Sequence, residues 1–414
     1  MTSNSISLVR SEAESAQRVA DVTVVIATYN RAHYLSEAIE SILRQSVRPR
    51  RVIIVDDGSS DATRDVVGQF GMQVEYVHQE NRGKASALAA TLPQVDSQYV
   101  WYFDDDDWAY PDALERMLGV IDVDPRLGFA FGAVDKAKTT GRLTEATVRR
   151  GDYRWRDDSI EVQRLRLYRE CTVMMTGALL RTSAIRGVGG ISARQLRGQD
   201  YDLLIRLAAS YSFAFCDASV YIFREHDGLR GTSTSQHRWR DRIASWAKYS
   251  EAGGYFLRYQ LPISRFRSDP QSVMDDPATC RSALIARAWA TAPKLPLHLP
   301  VSDLVEAFWL EPNADLGVHD RMCLREMFHD EFVAFRRARA LFSLWRLALT
   351  PVGARALDAL ARSAYWRGCR EQVSLRRVRW IAVAIPLWLL SAIVRAVRRD
   401  EWSSFVAIGS DRRD

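Results

Sequence analysis

The stretch VTVVIATYNRAHYLSEAIESIL, residues 22–43, changes character at Thr28. The six residues before it are all apolar or β-branched, which is typical of a strand that is buried on both faces. After a polar turn, apolar side chains recur at the spacing of one helix face. They are Leu35, Ile39, Ile42 and Leu43. This segment therefore predicts a buried strand, a tight turn and an amphipathic helix.

The same plan recurs three times further along the chain. Strands are predicted at residues 52–55, 74–79 and 99–103, and each leads through a polar turn into a helical pattern. This alternation predicts an α/β fold with a doubly wound, mostly parallel sheet and helices on both faces. Ligands of such sheets bind beyond the carboxyl ends of the strands. Four polar turns lie at such ends: residues 28–31, 56–59, 81–84 and 104–107.

The pattern is less regular beyond residue 170. Residues 172–185 predict an apolar strand and a short helix, and residues 211–228 predict two strands that end at His226. Between them, a glycine turn leads into a helix whose buried face carries Leu203, Leu204 and Leu207. A mainly helical C-terminal region is expected after about residue 237.

The positive charge of the chain is concentrated near its C-terminus. The net charge is +6, yet residues 336–400 alone contain 14 arginines against 3 acidic residues. The remainder of the chain is therefore net negative. The basic tail indicates an anionic surface as its partner, and no nucleic-acid partner is expected.

The tail also contains an apolar run, WIAVAIPLWLLSAIV, at residues 380–394. This run is shorter than the ~20 residues that a helix needs to span a bilayer, and Pro386 interrupts it. One hypothesis for residues 376–414 is a helix at the membrane interface, with its arginines on anionic lipid. A buried core helix with basic ends is the alternative.

Cysteine usage and the N-terminus indicate the compartment. The five cysteines are widely spaced and include no C-x-x-C pair, so neither a disulfide framework nor a zinc site is expected. Residues 1–21 lack the apolar core of a signal peptide and are interpreted as a flexible leader. A cytoplasmic protein is predicted, with peripheral contact to the inner face of the cell membrane through the tail.

Four consecutive aspartates, Asp104–Asp107, follow the strand at residues 99–103. Adjacent carboxylates repel one another, and burial makes each of them costlier. A divalent cation such as Mg2+ or Mn2+ would remove the repulsion and bridge the carboxylates to substrate phosphates. The alternative is a solvated acidic turn or a helix cap, with Asp107 as a charge at the helix N-terminus.

Two other turns carry weaker signals. Asp56 and Asp57 can accept hydrogen bonds from a base or a ribose, and Gly58 allows a sharp turn. An ordinary turn with a capping residue would look the same. Arg82 and Lys84 place positive charge near a helix start, where phosphate binds well, although a solvated loop has the same composition.

Six blocks of the sequence together resemble one known family. They are VVIATYNRAHYLSEAIESIL, VIIVDDGSSDAT, NRGKASAL, YFDDDDWAYPDALE, TGALLRTSAIRGVGG and GQDYDLLIRLA. Their order and spacing resemble those of family 2 glycosyltransferases with the GT-A fold, over about residues 22–231. The resemblance implies a nucleotide-sugar-binding catalytic domain at residues 22–237. A helical accessory region at residues 238–375 and the tail at 376–414 would follow it.

The resemblance also implies roles for single residues. Asp104, Asp106 and His226 would bind the divalent cation, with Asp106 favoured as the direct ligand, although a surface histidine is the alternative for His226. Asp200 would be the general base, or alternatively a helix N-cap; the preceding Gln199 departs from the family's usual glutamate. Tyr29 would stack near the base of the nucleotide. The nucleotide-sugar-binding positions would be Ala27, Thr28, Tyr29, Asp56, Asp57, Lys84, Asp104 and Asp105.

The expected function is an inverting glycosyltransferase with a divalent cation, Mn2+ or Mg2+, as cofactor. The sugar would move from a nucleotide-diphosphate donor, with UDP-sugars favoured, to a hydroxyl of a saccharide or lipid-linked acceptor. One alternative is transfer to a polyprenyl phosphate, which large spanning helices often accompany. Another is an inactive nucleotide-sugar-binding module at the membrane. The presence of both Asp106 and Asp200 disfavours it, since an inactive module would be expected to lack one of these carboxylates. A nucleotidyltransferase is disfavoured because the first turn has no glycine-rich phosphate loop.

Overall fold

The computed structural model describes residues 18–151, 155, 158–193, 195, 197–226, 230–232, 235–237, 242–296, 298–310, 315–327, 357, 360 and 361. The strands are β1 (Val19–Thr28), β2 (Arg48–Asp56), β3 (Glu75–His78), β4 (Tyr99–Asp104), β5 (Trp108–Ala109), β6 (Leu127–Lys138), β7 (Val148–Arg149), β8 (Ala178–Arg181), β9 (Ser212–Glu225), β10 (Arg230–Thr232) and β11 (Ser235–His237). The helices are α1 (Ala32–Leu43), α2 (Thr63–Gly68), α3 (Lys84–Thr91), α4 (Ala113–Ile121), α5 (Ile160–Arg169), α6 (Thr182–Gly187), α7 (Gln199–Ser210), α8 (Arg242–Tyr259), α9 (Pro277–Thr291), α10 (His298–Leu310) and α11 (Val318–Glu326).

The main sheet is mixed and mostly parallel. Its strands lie in the order β3-β2-β1-β4-β8-β6-β9-β5, with β7 paired to β6. β1 pairs in parallel with β2 and β4, β2 with β3, and β6 with β9. The antiparallel pairs extend over only two or three residue pairs each. The predicted fold class is confirmed, and β1 begins at Val19, inside the predicted leader.

The surroundings of β1 explain why apolar and polar residues do not alternate along it. Val24 and Ile26 pack in a core that also contains side chains of α1 and α4. Val25 and Ala27 point to the opposite face, into a second core with side chains of α3 and α7. Because helices cover both faces of the sheet, every residue of this strand from Val22 to Thr28 is buried.

The second half of the sheet differs from the prediction in two places. Residues 127–138 form β6, which the sequence did not predict, and the two strands expected in 211–228 are the single strand β9. Asp217 resembles a turn residue in the sequence. It lies in a bulge, where the register against β6 shifts between the pairs Gly132–Cys216 and Ala133–Ser219. The predicted strand before residue 185 is the short β8, followed by α6.

The C-terminal region is helical, as predicted, and its helices share a core with the sheet. Trp289 of α9, Phe308 of α10 and Leu324 of α11 belong to the same hydrophobic cluster as Leu204 of α7. Within the described parts of the chain, none of the helices has the length and apolar character needed to cross a bilayer. The predicted tail at 376–414 lies outside the described residues and stays a prediction.

Candidate functional site

Three of the four polar turns, at residues 28–31, 56–59 and 104–107, meet at the carboxyl ends of the strands. Thr28 pairs with Asp56 across β1 and β2, and Ala27 pairs with Asp104 across β1 and β4. Asp57 donates its backbone N–H to the Thr28 carbonyl at 2.9 Å. The convergence that the sequence predicted is thus the direct result of the parallel register.

The turn after β2 requires glycine. Gly58 has a φ of +83°, and a Cβ at this position would lie 2.8 Å from the backbone nitrogen of Asn81. Only a residue without a side chain permits both the left-handed backbone and this close approach. Gly58 therefore lets the turn at 56–59 pack against the turn at 81–84.

Asp56 and Asp57 are buried and held by neutral donors. Asp56 accepts from the Ser59 backbone N–H at 2.8 Å and from the Tyr76 hydroxyl at 2.6 Å. Asp57 accepts from the backbone N–H groups of Arg82 at 2.9 Å and Gly83 at 2.8 Å, and also from the amide of Gln79 at 2.7 Å. Both carboxylates thus fix the shape of the edge on which a nucleotide would lie.

The aspartates after β4 lie in a different environment. Asp105, Asp106 and Asp107 are 6%, 2% and 1% exposed, so the alternative of a solvated acidic turn is wrong. Asp107 leads into β5 and not into a helix, since α4 begins only at Ala113. Four buried or half-buried carboxylates in sequence need compensating positive charge.

Cations supply that compensation. Arg31 donates to Asp105 at 2.9 Å and to Asp106 at 2.6 Å. Lys84 forms an ion pair with Asp104. The Nε2 atom of His226 lies 3.0 Å from Asp106 Oδ2. The structure thus brings His226 to the aspartates and buries it, which excludes the alternative of a surface histidine.

These charges shift one another's pKa values. Burial would lower the pKa of Lys84, but Asp104 raises it to about 12. Arg31 behaves likewise: burial opposes its charge, and Asp105 and Asp106 outweigh burial and raise the pKa. Burial raises the pKa of Asp105, against the opposing effect of Arg31. Both basic side chains are therefore firmly charged at neutral pH.

The same turn fits a divalent cation. One carboxylate oxygen from each of Asp104, Asp106 and Asp107 lies within 4.8 Å of the others. Hard divalent ions prefer such oxygen donors. Asp107 also accepts from the Arg224 backbone N–H at 3.0 Å. The set of carboxylates therefore includes Asp107, which the sequence-based prediction left out.

Asp200 reaches the same edge from α7. The N-cap of this helix is Gly198, in a left-handed conformation with φ 68°, so the alternative of Asp200 as the N-cap is wrong. Burial raises the pKa of Asp200; the backbone N–H of Tyr201 and the charge of Lys84 oppose this, and Asp104 reinforces it. Asp200 is thus close enough to Lys84 and Asp104 to sense both charges.

Asp202, in the same helical turn, has a structural role. It pairs with Arg206 at 2.6 Å, and Arg206 donates to the carbonyls of Val188 and Gly190. This contact ties the start of α7 to the glycine turn before it. Asp200, by contrast, is the carboxylate at this helix start whose pKa responds to Lys84 and Asp104.

The remaining predicted residues lie at the same edge. Ala27 and Thr28 are buried at the end of β1, and Tyr29 is half-buried directly after it. Sequence reasoning missed Arg31, Glu37, Asp107 and Arg224. Arg31 had a signal, since it is the last residue of the first polar turn, two positions after Tyr29. Glu37 and Arg224 lie within a helix and a strand pattern, where nothing in the sequence marks them.

Comparison with known proteins gives a family for most of this region. Residues 23–189 match the model described as Glycosyl transferase family 2. An uncharacterised glycosyltransferase of Rickettsia typhi is 23% identical over 236 residues, which cover 55% of this chain and 71% of that protein. One from Nostoc sp. is 35% identical over 138 residues, covering 30% of this chain and 43% of the relative. Glycosyltransferase GlyA of Streptococcus pneumoniae is 31% identical over 99 residues, which cover 23% of this chain and 14% of that protein. The matched segments span less than half of the latter two relatives.

Two solved structures resemble the chain distantly. S. aureus TarS 1–349 in complex with UDP-GlcNAc superposes with a TM-score of 0.43 and 14% identity, covering 92% of each chain. A mannosyltransferase of Pyrobaculum calidifontis in complex with GDP-Man and Mn2+ superposes with a TM-score of 0.39 and 17% identity, covering 91% of this chain and 86% of that one. The ligands in these structures belong to those proteins.

Proposed function

We propose that this chain, whose residues 23–189 match the model described as Glycosyl transferase family 2, transfers a sugar from a nucleotide-diphosphate donor to an acceptor hydroxyl with inversion of the anomeric centre. The observation that carries the proposal is the placement of two kinds of carboxylate at one sheet edge. Lys84 pairs with Asp104 of the Asp104–Asp107 turn, and its charge also opposes the rise in the pKa of Asp200 that burial causes.

Asp200 acts as the general base in this proposal. Its carboxylate takes the proton of the acceptor hydroxyl while the acceptor oxygen bonds to the anomeric carbon. The bond from that carbon to the diphosphate oxygen breaks, and the nucleoside diphosphate leaves with the electron pair. Because burial raises the pKa of Asp200, it is a better proton acceptor than an exposed aspartate.

Asp104 and Asp106 would hold the divalent cation, Mn2+ or Mg2+, with Asp107 beside them. When bound, such an ion offsets the negative charge of a diphosphate. Arg31 and Lys84 border the same carboxylates and remain charged at neutral pH. They add fixed positive charge where the diphosphate would lie. His226 holds the Asp106 carboxylate in this scheme and is kept as a candidate ligand.

The nucleotide would lie on the edge formed by the first two turns. Tyr29 offers a half-buried ring for stacking on the base. Asp56 and Asp57, which are fixed by neutral donors, offer remaining lone pairs to the base and the ribose. Ala27, Thr28 and Asp105 form the floor between them. We propose a UDP-sugar as donor and a saccharide or lipid-linked saccharide as acceptor.

A screen of nucleotide sugars tests this function. Release of nucleoside diphosphate from each donor is measured with Mn2+, with Mg2+ and with a chelator, for the parent and for Asp106→Asn. We expect one donor class to give metal-dependent release that Asp106→Asn loses. NMR of the product's anomeric configuration tests inversion. Absence of metal-dependent release from every donor, with or without candidate acceptors, would contradict the proposal.

A further inference from the structure

A charged side chain outside the proposed reaction is buried beside the aspartate turn. Arg224, near the end of β9, is 0% exposed. Burying a guanidinium costs several kcal/mol unless it is paired and its N–H groups are hydrogen-bonded. The protein tolerates this cost at a position adjoining Asp106 and Asp107, so the role of Arg224 there needs an explanation.

Arg224 forms hydrogen bonds to three segments that lie far apart in the sequence. Its Nε donates to the Asp106 carbonyl at 2.8 Å, and its backbone N–H donates to the Asp107 carboxylate at 3.0 Å. Another guanidinium nitrogen donates to the Gly141 carbonyl. The third donates to Glu37 Oε2 of α1 at 2.6 Å. One planar group thus fixes the turn, the first helix and the segment after β6.

Glu37 completes the arrangement. It is 8% exposed, and its second carboxylate oxygen accepts from the Leu143 backbone N–H at 2.8 Å. The Tyr34 ring, one turn earlier on α1, lies 4.5 Å below the Arg224 guanidinium and 5.2 Å from the ring of His226. His226 in turn contacts the Asp106 carboxylate. Arg224 and His226 therefore hold Asp106 from two sides, by its backbone and by its side chain.

We propose that Arg224, paired with Glu37, is a positioning residue that holds the Asp104–Asp107 turn in the conformation that binds the divalent cation. This inference rests on the proposed function, since it assumes that the turn binds a cation. Arg224 touches no reacting atom; it acts through the backbone of Asp106 and the carboxylate of Asp107. Arginine suits this position because its three nitrogens are spread over a rigid plane and donate in three fixed directions, whereas a lysine ammonium has a single nitrogen.

Mn2+ binding without any substrate tests the proposal. Free Mn2+ is followed by its EPR signal during titration of the parent, Arg224→Met and Arg224→Lys. We expect the Kd for Mn2+ to rise at least ~10-fold in Arg224→Met. Arg224→Lys should recover little of the affinity, because one ammonium cannot serve Asp106, Gly141 and Glu37 together.

Arg281→Met is the matched control. Arg281 is also almost fully buried, and it pairs with Asp320 between α9 and α11. Its loss should lower the unfolding temperature and leave the Mn2+ affinity unchanged. An equal loss of affinity in the control would show that any buried ion pair has this effect, and would overturn the specific role of Arg224.

A double variant covers the case in which Arg224→Met does not fold. Glu37→Leu with Arg224→Met replaces the whole buried pair by apolar side chains, an exchange that proteins often tolerate. Weakened Mn2+ binding by the folded double variant supports the proposal, whereas affinity equal to that of the parent overturns it. If the parent itself fails to bind Mn2+, the proposed function fails and this inference falls with it. If the parent binds and the variants bind equally well, only the inference fails.

Discussion

Two acidic turns flank β1, and they hold their carboxylates in opposite ways. At the end of β2, Asp56 and Asp57 accept hydrogen bonds from backbone N–H groups, a hydroxyl and an amide, all of them neutral. At the end of β4, the aspartates face Arg31, Lys84 and His226. Both turns are rich in aspartate and both end central strands.

The difference indicates that the turn at β2 holds its carboxylates in fixed positions, whereas the carboxylates at β4 can exchange a cationic side chain for a metal ion. Neutral donors fix a carboxylate in place without cancelling its charge, so the turn at β2 presents a rigid acidic edge. The charge of the turn at β4 is balanced by the cationic side chains of Arg31 and Lys84. Carboxylates balanced in this way can accept a divalent ion without a change in their own positions. Mutations in each turn and at Asp200 test this distinction.

Asp106→Asn should have the largest effect. An amide keeps the shape of the side chain and one acceptor for Arg31 or His226, but it removes the charge that a cation needs. We expect turnover to fall at least ~10³-fold, because losing an ion is worth several kcal/mol of transition-state stabilisation. Steady-state rates with the donor found in the screen, at saturating Mn2+, measure this.

Asp65→Asn provides the comparison for that variant. Asp65 lies exposed in the first turn of α2, and its substitution should leave turnover within a factor of two. Retention of parental activity by Asp106→Asn would show that the two acidic turns do not differ in the way described here.

Asp200→Asn should slow sugar transfer by ~10²-fold or more, the usual scale of a general base, and keep nucleotide affinity. The base works only when it is deprotonated, so kcat/KM is lost as the pH falls through its pKa. Since burial raises that pKa, the acid limb should lie above the ~3.9 of an exposed aspartate. The pH profile and nucleotide calorimetry measure these effects. A joint loss of affinity and turnover would instead indicate a structural role for Asp200.

How much of this site the sequence could predict depends on the kind of interaction. The convergence of the turns followed from parallel strands alone, because each strand carried a continuous apolar run and ended in polar residues. β6 was missed, since Gly128 and Gly132 interrupt its apolar run and polar residues follow from Asp135. β9 was divided in two because Asp217 resembles a turn, whereas the structure places it in a bulge.

Long-range pairings escaped prediction for a different reason. Arg224 and Glu37 are 187 positions apart, and neither stands in a motif. In a sequence, a charged residue within an apolar strand looks like an exposed position. Only the fold shows that the two side chains meet in the interior, where their charges must pair. Asp107 was set aside as a helix charge because the intervening β5 was not foreseen.

Asp57→Asn should destabilise the protein more than it slows catalysis. The amide would place an NH2 group against the Gly83 backbone N–H, where the carboxylate now accepts. Leaving one buried donor unpaired costs about 1–3 kcal/mol in the free energy of unfolding, measured by urea denaturation. We expect turnover of the folded variant at saturating donor to stay within about tenfold of the parent. If Asp57→Asn abolished turnover but left stability unchanged, the turn at β2 would belong to the chemistry and the contrast would be lost.

Gly58→Ala should have the smallest effect and tests whether the edge at β2 must be rigid. Alanine adds a Cβ 2.8 Å from the Asn81 backbone nitrogen, at a φ of +83° that alanine rarely adopts. The turn must shift away from Asn81, which we expect to cost about 1–2 kcal/mol of stability.

Gly68→Ala is the matched control, because Gly68 ends α2 and a Cβ there meets no atom within 4 Å. It should leave stability equal or up to ~1 kcal/mol higher. Nucleotide affinity should fall a few-fold in Gly58→Ala alone, since the shift displaces Asp57 from Arg82 and Gly83. Equal affinity in both glycine variants would mean that the nucleotide does not depend on the geometry of this turn, and that the charged turn at β4 alone determines binding.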